Sequence, residues 1–96
     1  MEEFVIPCIR YFSKTDEDCF FGWLNSIPGV ASVRGEGRNL YVTLNSALLA
    51  DDTLRELISL HYRYSIPMYS LSQFETPENK GWFRNDSAYW YSAIFG

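Results

Sequence analysis

Few side chains in this 96-residue chain are of types that carry chemistry, and their spacing restricts what that chemistry is. His61 is the only histidine, which excludes a His–His metal pair and leaves any single-histidine site dependent on distant carboxylates or thiols. As a catalytic base it lacks the second and third members that a triad needs. Its helical spacing from Leu54, Leu57 and Ile58 instead marks a histidine hydrogen-bonded at the edge of a core. Cys8 and Cys19 are too few for a disulfide framework. Cys19 falls in the first turn of a predicted helix, where the dipole favours a thiolate, but Asp16, Glu17 and Asp18 surround it and oppose that effect. Both thiols therefore read as free and buried. Gly35-Glu36-Gly37 followed by Arg38 has the composition of a phosphate loop. It joins strand to strand with no helix N-terminus behind it, so it reads as a turn. No catalytic residue, cofactor or metal ligand is expected.

Two residue classes remain, acids and aromatics. Asp16-Glu17-Asp18, Asp51-Asp52-Glu56 and the Glu75 to Glu78 segment each stand at a predicted helix start, where carboxylates cap and complement the dipole. The same groups make a surface suited to a basic protein. The net charge of −4 argues against a nucleic-acid surface, which needs clustered cations to displace counterions. Ten of the seventeen aromatic residues lie beyond residue 61. A solvated tail is poor in such residues, so this segment must fold back on the domain or onto a partner. Trp82, Phe83, Trp90 and Phe95 suffice to close a small core. Tyr62, Tyr64, Tyr69, Tyr89 and Tyr91 exceed what that core takes, and tyrosine is enriched at protein interfaces.

The elements that position these residues follow from the pattern. Phe4 to Phe12 reads as a first strand, with Pro7 placing it at a sheet edge. Ser13 and Lys14 turn the chain into a helix capped by Thr15, with Cys19, Phe20, Trp23, Leu24 and Ile27 as its apolar stripe and Pro28-Gly29 as its stop. Val30 to Arg34 and Leu40 to Leu44 form a hairpin joined by Gly35-Glu36-Gly37. A second helix starts near Asp51-Asp52, with Asp51 placed to pair with Arg55. Met68 to Phe74 fits a strand or a short helix with Pro67 at its first position. The three-residue spacing of Met68, Leu71 and Phe74 favours the helix. Thr76-Pro77-Glu78-Asn79 and Asp86-Ser87 start two further short helices.

The order β-α-β-β-α is the ferredoxin-like half-pattern. A right-handed β-α-β unit makes the first two strands parallel, and the third fits between them. The expected fold is α+β, a three-stranded (alternatively four-stranded) sheet in ferredoxin-like order with a helical, aromatic-rich C-terminal cap. Residues 1–96 form one domain, 1–65 the β-α-β-β-α unit and 66–96 the cap. With no signal-like start and no apolar run of membrane-spanning length, the expected compartment is the cytoplasm.

Small, acidic, aromatic-rich domains without catalytic groups resemble, in kind, bacterial immunity proteins that neutralise a cationic toxin. That resemblance implies a non-enzymatic protein binder with a basic partner, binding neither nucleic acid nor membrane, itself a monomer or weak homodimer. The expected contact residues are Asp16, Glu17, Asp51, Asp52, Glu56, Tyr62, Tyr69 and Tyr89. The alternatives are a homodimerising module built on the aromatic tail and a small-ligand binder or enzyme centred on His61.

Overall fold

The chain is α+β, with one three-stranded antiparallel sheet and several helices. The computed structural model describes residues 2–7, 9–46 and 48–96, so Cys8 lies outside the described residues. By its internal contacts the chain divides into two compact units, Met1–Ala47 and Leu48–Gly96.

The first unit opens with β1, Glu2–Ile6. Pro7 ends the strand instead of sitting inside it, because a residue with no N–H cannot continue the ladder. Helix α1 spans Lys14–Ser26. Its cap is Ser13, two residues before the expected Thr15: the Ser13 hydroxyl accepts the Asp16 N–H at 3.0 Å. Asp16 reaches back in turn and accepts the Phe12 N–H at 2.9 Å, so two N-terminal donors are satisfied reciprocally. The helix buries Phe20 and Leu24, and Ile27 beyond it is also buried. Trp23 is half-buried on the same stripe. Cys19 departs from expectation: it is a free thiol, but exposed, because Phe20 rather than its neighbour faces inward.

β2, Val30–Glu36, and β3, Asn39–Leu44, form the hairpin. The connection is tighter than the glycine spacing suggested. Gly35 and Glu36 continue the strand, and only Gly37 and Arg38 turn, with Gly37 at φ 62°. A two-residue turn of this hand needs positive φ at its first residue, which glycine adopts without strain. The strand order is β1-β3-β2, with β3 antiparallel to both neighbours, so the outer strands run parallel and β1 is an edge. A bulge between Val30 and Ser32 interrupts β2 pairing. Phe4 pairs with Val42, which pairs with Val33, and this row lies on the face carrying the buried Ile6 and Leu44. The opposite face carries Val5, Tyr41 and Arg34 in one row. There the Arg34 guanidinium lies 4.5 Å from the Tyr41 ring centre, 3.6 Å from Glu3, and pairs with Glu36.

The second unit starts with α2, Asp51–Arg63. Leu54, Leu57, Ile58 and His61 are buried as their spacing requires, joined by Thr53 and Leu60. Residues Tyr69–Phe74 form a 3-10 helix, in keeping with the three-residue spacing, and bury Leu71 and Phe74. Two short helices follow, α3, Lys80–Phe83, and α4, Tyr91–Phe95, the latter packed against the 3-10 helix.

Thr76 and Asn79 build the entry to α3. The Thr76 hydroxyl accepts the Asn79 backbone N–H at 3.1 Å, and the Asn79 side-chain Oδ1 accepts the Thr76 N–H at 2.8 Å. The Asn79 side-chain amide also donates to the Phe74 carbonyl at 2.9 Å, and the residue is buried. Asn79→Ala is therefore expected to orphan buried backbone groups and cost about 2–4 kcal/mol. Urea unfolding of the variant measures this directly, and a loss under 0.5 kcal/mol, the scale of a surface change, contradicts it. At α4 the expected cap is replaced. Asn85, not Asp86, turns the chain, its side-chain oxygen accepting the Ser87 N–H at 2.9 Å, and the helix begins only at Tyr91.

The aromatic residues of this unit pack on one another. Phe83 meets Phe95 edge-on with ring centres 5.0 Å apart, and Trp82 meets Trp90 at 6.1 Å. The Trp90 indole N–H donates to the Phe83 carbonyl at 2.7 Å. Arg55 of α2 lies 3.9 Å from the Trp82 ring centre, which is where its guanidinium goes in place of the expected pairing with Asp51. Arg84 grips Glu75 through two bonds, 2.6 and 2.9 Å, and lies 4.2 Å over Phe95. Among the described residues, no helix is long and apolar enough to cross a membrane.

Candidate functional site

α2 ends in a turn that defines the local surface. Ser65 adopts φ 56°, the left-handed region that glycine usually fills after a helix. Its N–H donates to the Tyr62 carbonyl at 3.3 Å, and the Ile66 N–H donates to the His61 carbonyl at 2.9 Å. Those two bonds are the paired closure of a Schellman turn, which satisfies the last helical carbonyls. The sequence carried one sign of it, Pro67, since proline commonly follows such a stop. The absence of glycine concealed the rest.

His61 sits inside this turn and is 1% exposed. Its ring Nδ1 lies 2.7 Å from the Leu57 carbonyl, so the neutral ring carries its proton on Nδ1 and donates there. Burial holds its pKa down to about 4, against the Leu57 hydrogen bond, which favours the charged ring. At neutral pH it is an uncharged, structurally engaged side chain.

Above it opens a depression of about 600 Å³ walled by residues from His61 to Tyr69, with Ala93 of α4 completing it. Tyr62 and Tyr69 line this depression. They are 55% and 70% exposed, and Tyr89 is 51% exposed. The Tyr62 and Tyr89 rings meet edge-on at 4.6 Å. Three of the tyrosines singled out by the sequence thus stand on the surface of one unit, with two of them in ring contact. Tyr64 and Tyr91 are half-buried.

The acidic residues are distributed differently. Asp51, Asp52 and Glu56 lie on the exposed face of α2 that also carries Tyr62. Asp51 is separated from Tyr62 by about 16 Å of helix axis, and Arg55 and Arg63 alternate with the acids. The Asp52 carboxylate accepts the Thr53 N–H at 2.9 Å. Asp16 and Glu17 belong to the first unit and are half-buried, Asp16 being occupied by the Phe12 N–H. A second hollow of about 520 Å³ is lined by Glu75, Thr76, Pro77 and Lys80, where Arg84 beside Glu75 holds that carboxyl below its ordinary pKa. Among the described residues, no three His, Cys, Asp or Glu side chains come together as a metal site. Arg38 sits exposed in the hairpin turn.

The chain matches no protein-family model, no curated protein and no solved structure.

Proposed function

We propose that this is a non-enzymatic protein-binding protein whose contact surface is formed by Tyr62, Tyr69 and Tyr89, with Asp51, Asp52 and Glu56 of α2 steering a basic partner. The observation that carries the reading is the exposure of these three tyrosines on one unit, with Tyr62 and Tyr69 lining a shallow depression and Tyr89 in ring contact with Tyr62. Large amphipathic rings held by their neighbours lose little entropy when a partner covers them. His61, the residue a catalytic alternative needs, supports a structural role, being buried and bonded to the backbone. In its sharper form the proposal is a bacterial immunity or inhibitor protein for a cationic toxin domain, acting in the cytoplasm. The net charge of −4 supports that form. The fold beneath it we read as a three-stranded relative of the ferredoxin-like pattern. Its support is the β1-β3-β2 order with parallel outer strands and the helical, aromatic C-terminal segment.

Charge reversal tests the steering. Asp51→Lys, Asp52→Lys and Glu56→Lys together are expected to slow association with the partner by about tenfold at low salt while leaving dissociation nearly unchanged. The difference should shrink as salt is raised, because the screening length falls to about 8 Å near 0.15 M. Stopped-flow kinetics at two ionic strengths reads both. An acidic partner, or association that quickens with salt, removes the electrostatic part of the proposal.

A further inference from the structure

The sheet ends on β2, and the hydrogen-bonding groups along the outer side of that strand are open. The two-residue turn at Gly37 and Arg38 makes Glu36 and Asn39 the hydrogen-bonded closing pair of the hairpin. Bonded and non-bonded pairs alternate along an antiparallel ladder, so Arg34–Tyr41 and Ser32–Thr43 are bonded as well. Val33 and Gly35 fall between them, opposite Val42 and Leu40, and point their N–H and C=O groups away from β3. Among the described residues, none bonds to these outward groups. Ser32, Arg34, Gly35 and Glu36 are exposed and Val33 is half-buried, so the edge faces solvent. Gly35 adds a second observation. A Cβ there would meet only the Leu40 side chain, at 3.8 Å, an ordinary contact, and the residue is not in the left-handed region. The bulge of β2 lies at its other end, between Val30 and Ser32, so nothing within the sheet requires glycine at this position. A glycine inside a strand weakens it and marks a place where another backbone comes close. We propose that the outer edge of β2 is a docking site for an extended segment of another protein, which joins the sheet as a fourth strand, antiparallel to β2 and bonded to Val33 and Gly35.

The occupant follows from these groups and from charge. An extended chain presents its own N–H and C=O at the same two-residue repeat, so main-chain bonds supply the affinity and the facing side chains the choice of segment. A second copy of β2 fits poorly. The two-fold register that uses every outward group pairs Val33 with Gly35 of the copy, and it sets Arg34 directly against its own counterpart, a like-charge pair. A foreign segment avoids that clash. Arg34 and Glu36, two residues apart, lie on one face of the strand. A segment that reads cation, apolar residue, acid places its cation opposite Glu36, its apolar residue opposite Gly35 and its acid opposite Arg34. The Arg34 pairs with Glu36 and Glu3 are exposed, so they exchange for the charges of the segment at little cost. This edge belongs to the first unit, and the inference stands independently of the tyrosine surface of the second.

The probe is a capped peptide, Lys-Val-Glu-Val-Thr, titrated into the isotope-labelled intact protein and followed by NMR, with the charge-swapped Glu-Val-Lys-Val-Thr beside it. The first peptide is expected to move the Val33 and Gly35 amide signals and to slow their exchange. The second should bind about tenfold more weakly, because two opposite-charge pairs become two like-charge pairs. Gly35→Pro removes an outward N–H that the β2–β3 ladder does not use, so the hairpin should persist while peptide binding is lost. Should that variant fail to fold, Arg34→Glu combined with Glu36→Lys takes its place and is expected to invert the preference between the two peptides. No response at Val33 and Gly35 at the highest soluble concentration of the first peptide, or equal affinity for both peptides, overturns the proposal. A dimer found by light scattering, whose formation alone slows exchange at Val33 and Gly35, overturns it too, because a second copy then occupies the edge.

Discussion

A chain cut before Trp82 is expected to lose cooperative folding. Residues 82–96 supply the buried Phe83 and Ile94, the Trp82–Trp90 and Phe83–Phe95 contacts, and the Arg84 grip on Glu75. The single substitution Phe83→Ala already removes a fully buried ring and is expected to cost about 3–5 kcal/mol. Domains of this size have a total stability of about 5–15 kcal/mol, so the truncation should leave exposed apolar surface and aggregation. Urea unfolding with tryptophan fluorescence reads Phe83→Ala, and light scattering reads the truncation. A truncated protein that melts like the intact chain shows that these aromatics are not structural.

Acid is expected to weaken the fold through the same unit. The folded pKa of His61 lies below its unfolded value, about 4 against 6.5, so the unfolded state binds the proton first. The sign follows: stability is fully present above pH 6.5 and falls as pH drops towards 4, by about 3 kcal/mol over that span. Glu75, whose carboxyl is held below its ordinary range by Arg84, adds a loss of the same direction at lower pH. Denaturant midpoints measured at pH 7, 6, 5 and 4 should therefore decline, with the decline reduced in His61→Gln. Midpoints that stay level from pH 7 to 4 contradict the buried, neutral histidine.

How far the sequence foretold this molecule depended on whether local chemistry had one outcome or several. Alternation placed Val42 and Leu44 on a buried face, and helical spacing placed Leu54, Leu57, Ile58 and His61, because period alone decides those. Boundaries were less legible. The hydroxyls of Ser13 and Thr15 both suit a helix cap, and it was the reciprocal bonds of Ser13 and Asp16 that selected the first. Pro7 was legible as an edge signal, yet it also ended β1, which shortened the expected strand. Gly35 suggested a turn but continued β2, since a two-residue turn needed only Gly37 in the left-handed region. Asp86-Ser87 matched a capping pattern, while Asn85 made the competing turn one residue earlier.

The site itself was legible as a residue list more than as a place. The tyrosine surplus pointed to five residues, of which Tyr62, Tyr69 and Tyr89 are exposed while Tyr64 and Tyr91 are half-buried. Their grouping depends on a Schellman turn closed by Ser65, a residue type that gives no such signal. The acidic clusters were visible, and so was Arg55 one turn from Asp51, but not that Arg63 shares the face with Asp51, Asp52 and Glu56. Nor was it visible that Asp16 and Asp52 spend a carboxylate oxygen on backbone N–H groups.

The most direct measurement is the affinity of a partner isolated from the native cells for two forms of this protein. These are the intact chain and a Tyr62→Ser, Tyr69→Ser, Tyr89→Ser variant shown by circular dichroism and melting to be folded. Loss of exposed aromatic anchors at a binding centre should weaken the complex at least 100-fold, mainly through faster dissociation. Equal affinity of the two forms, with the fold intact, would place the interface elsewhere and end the case for the tyrosine surface.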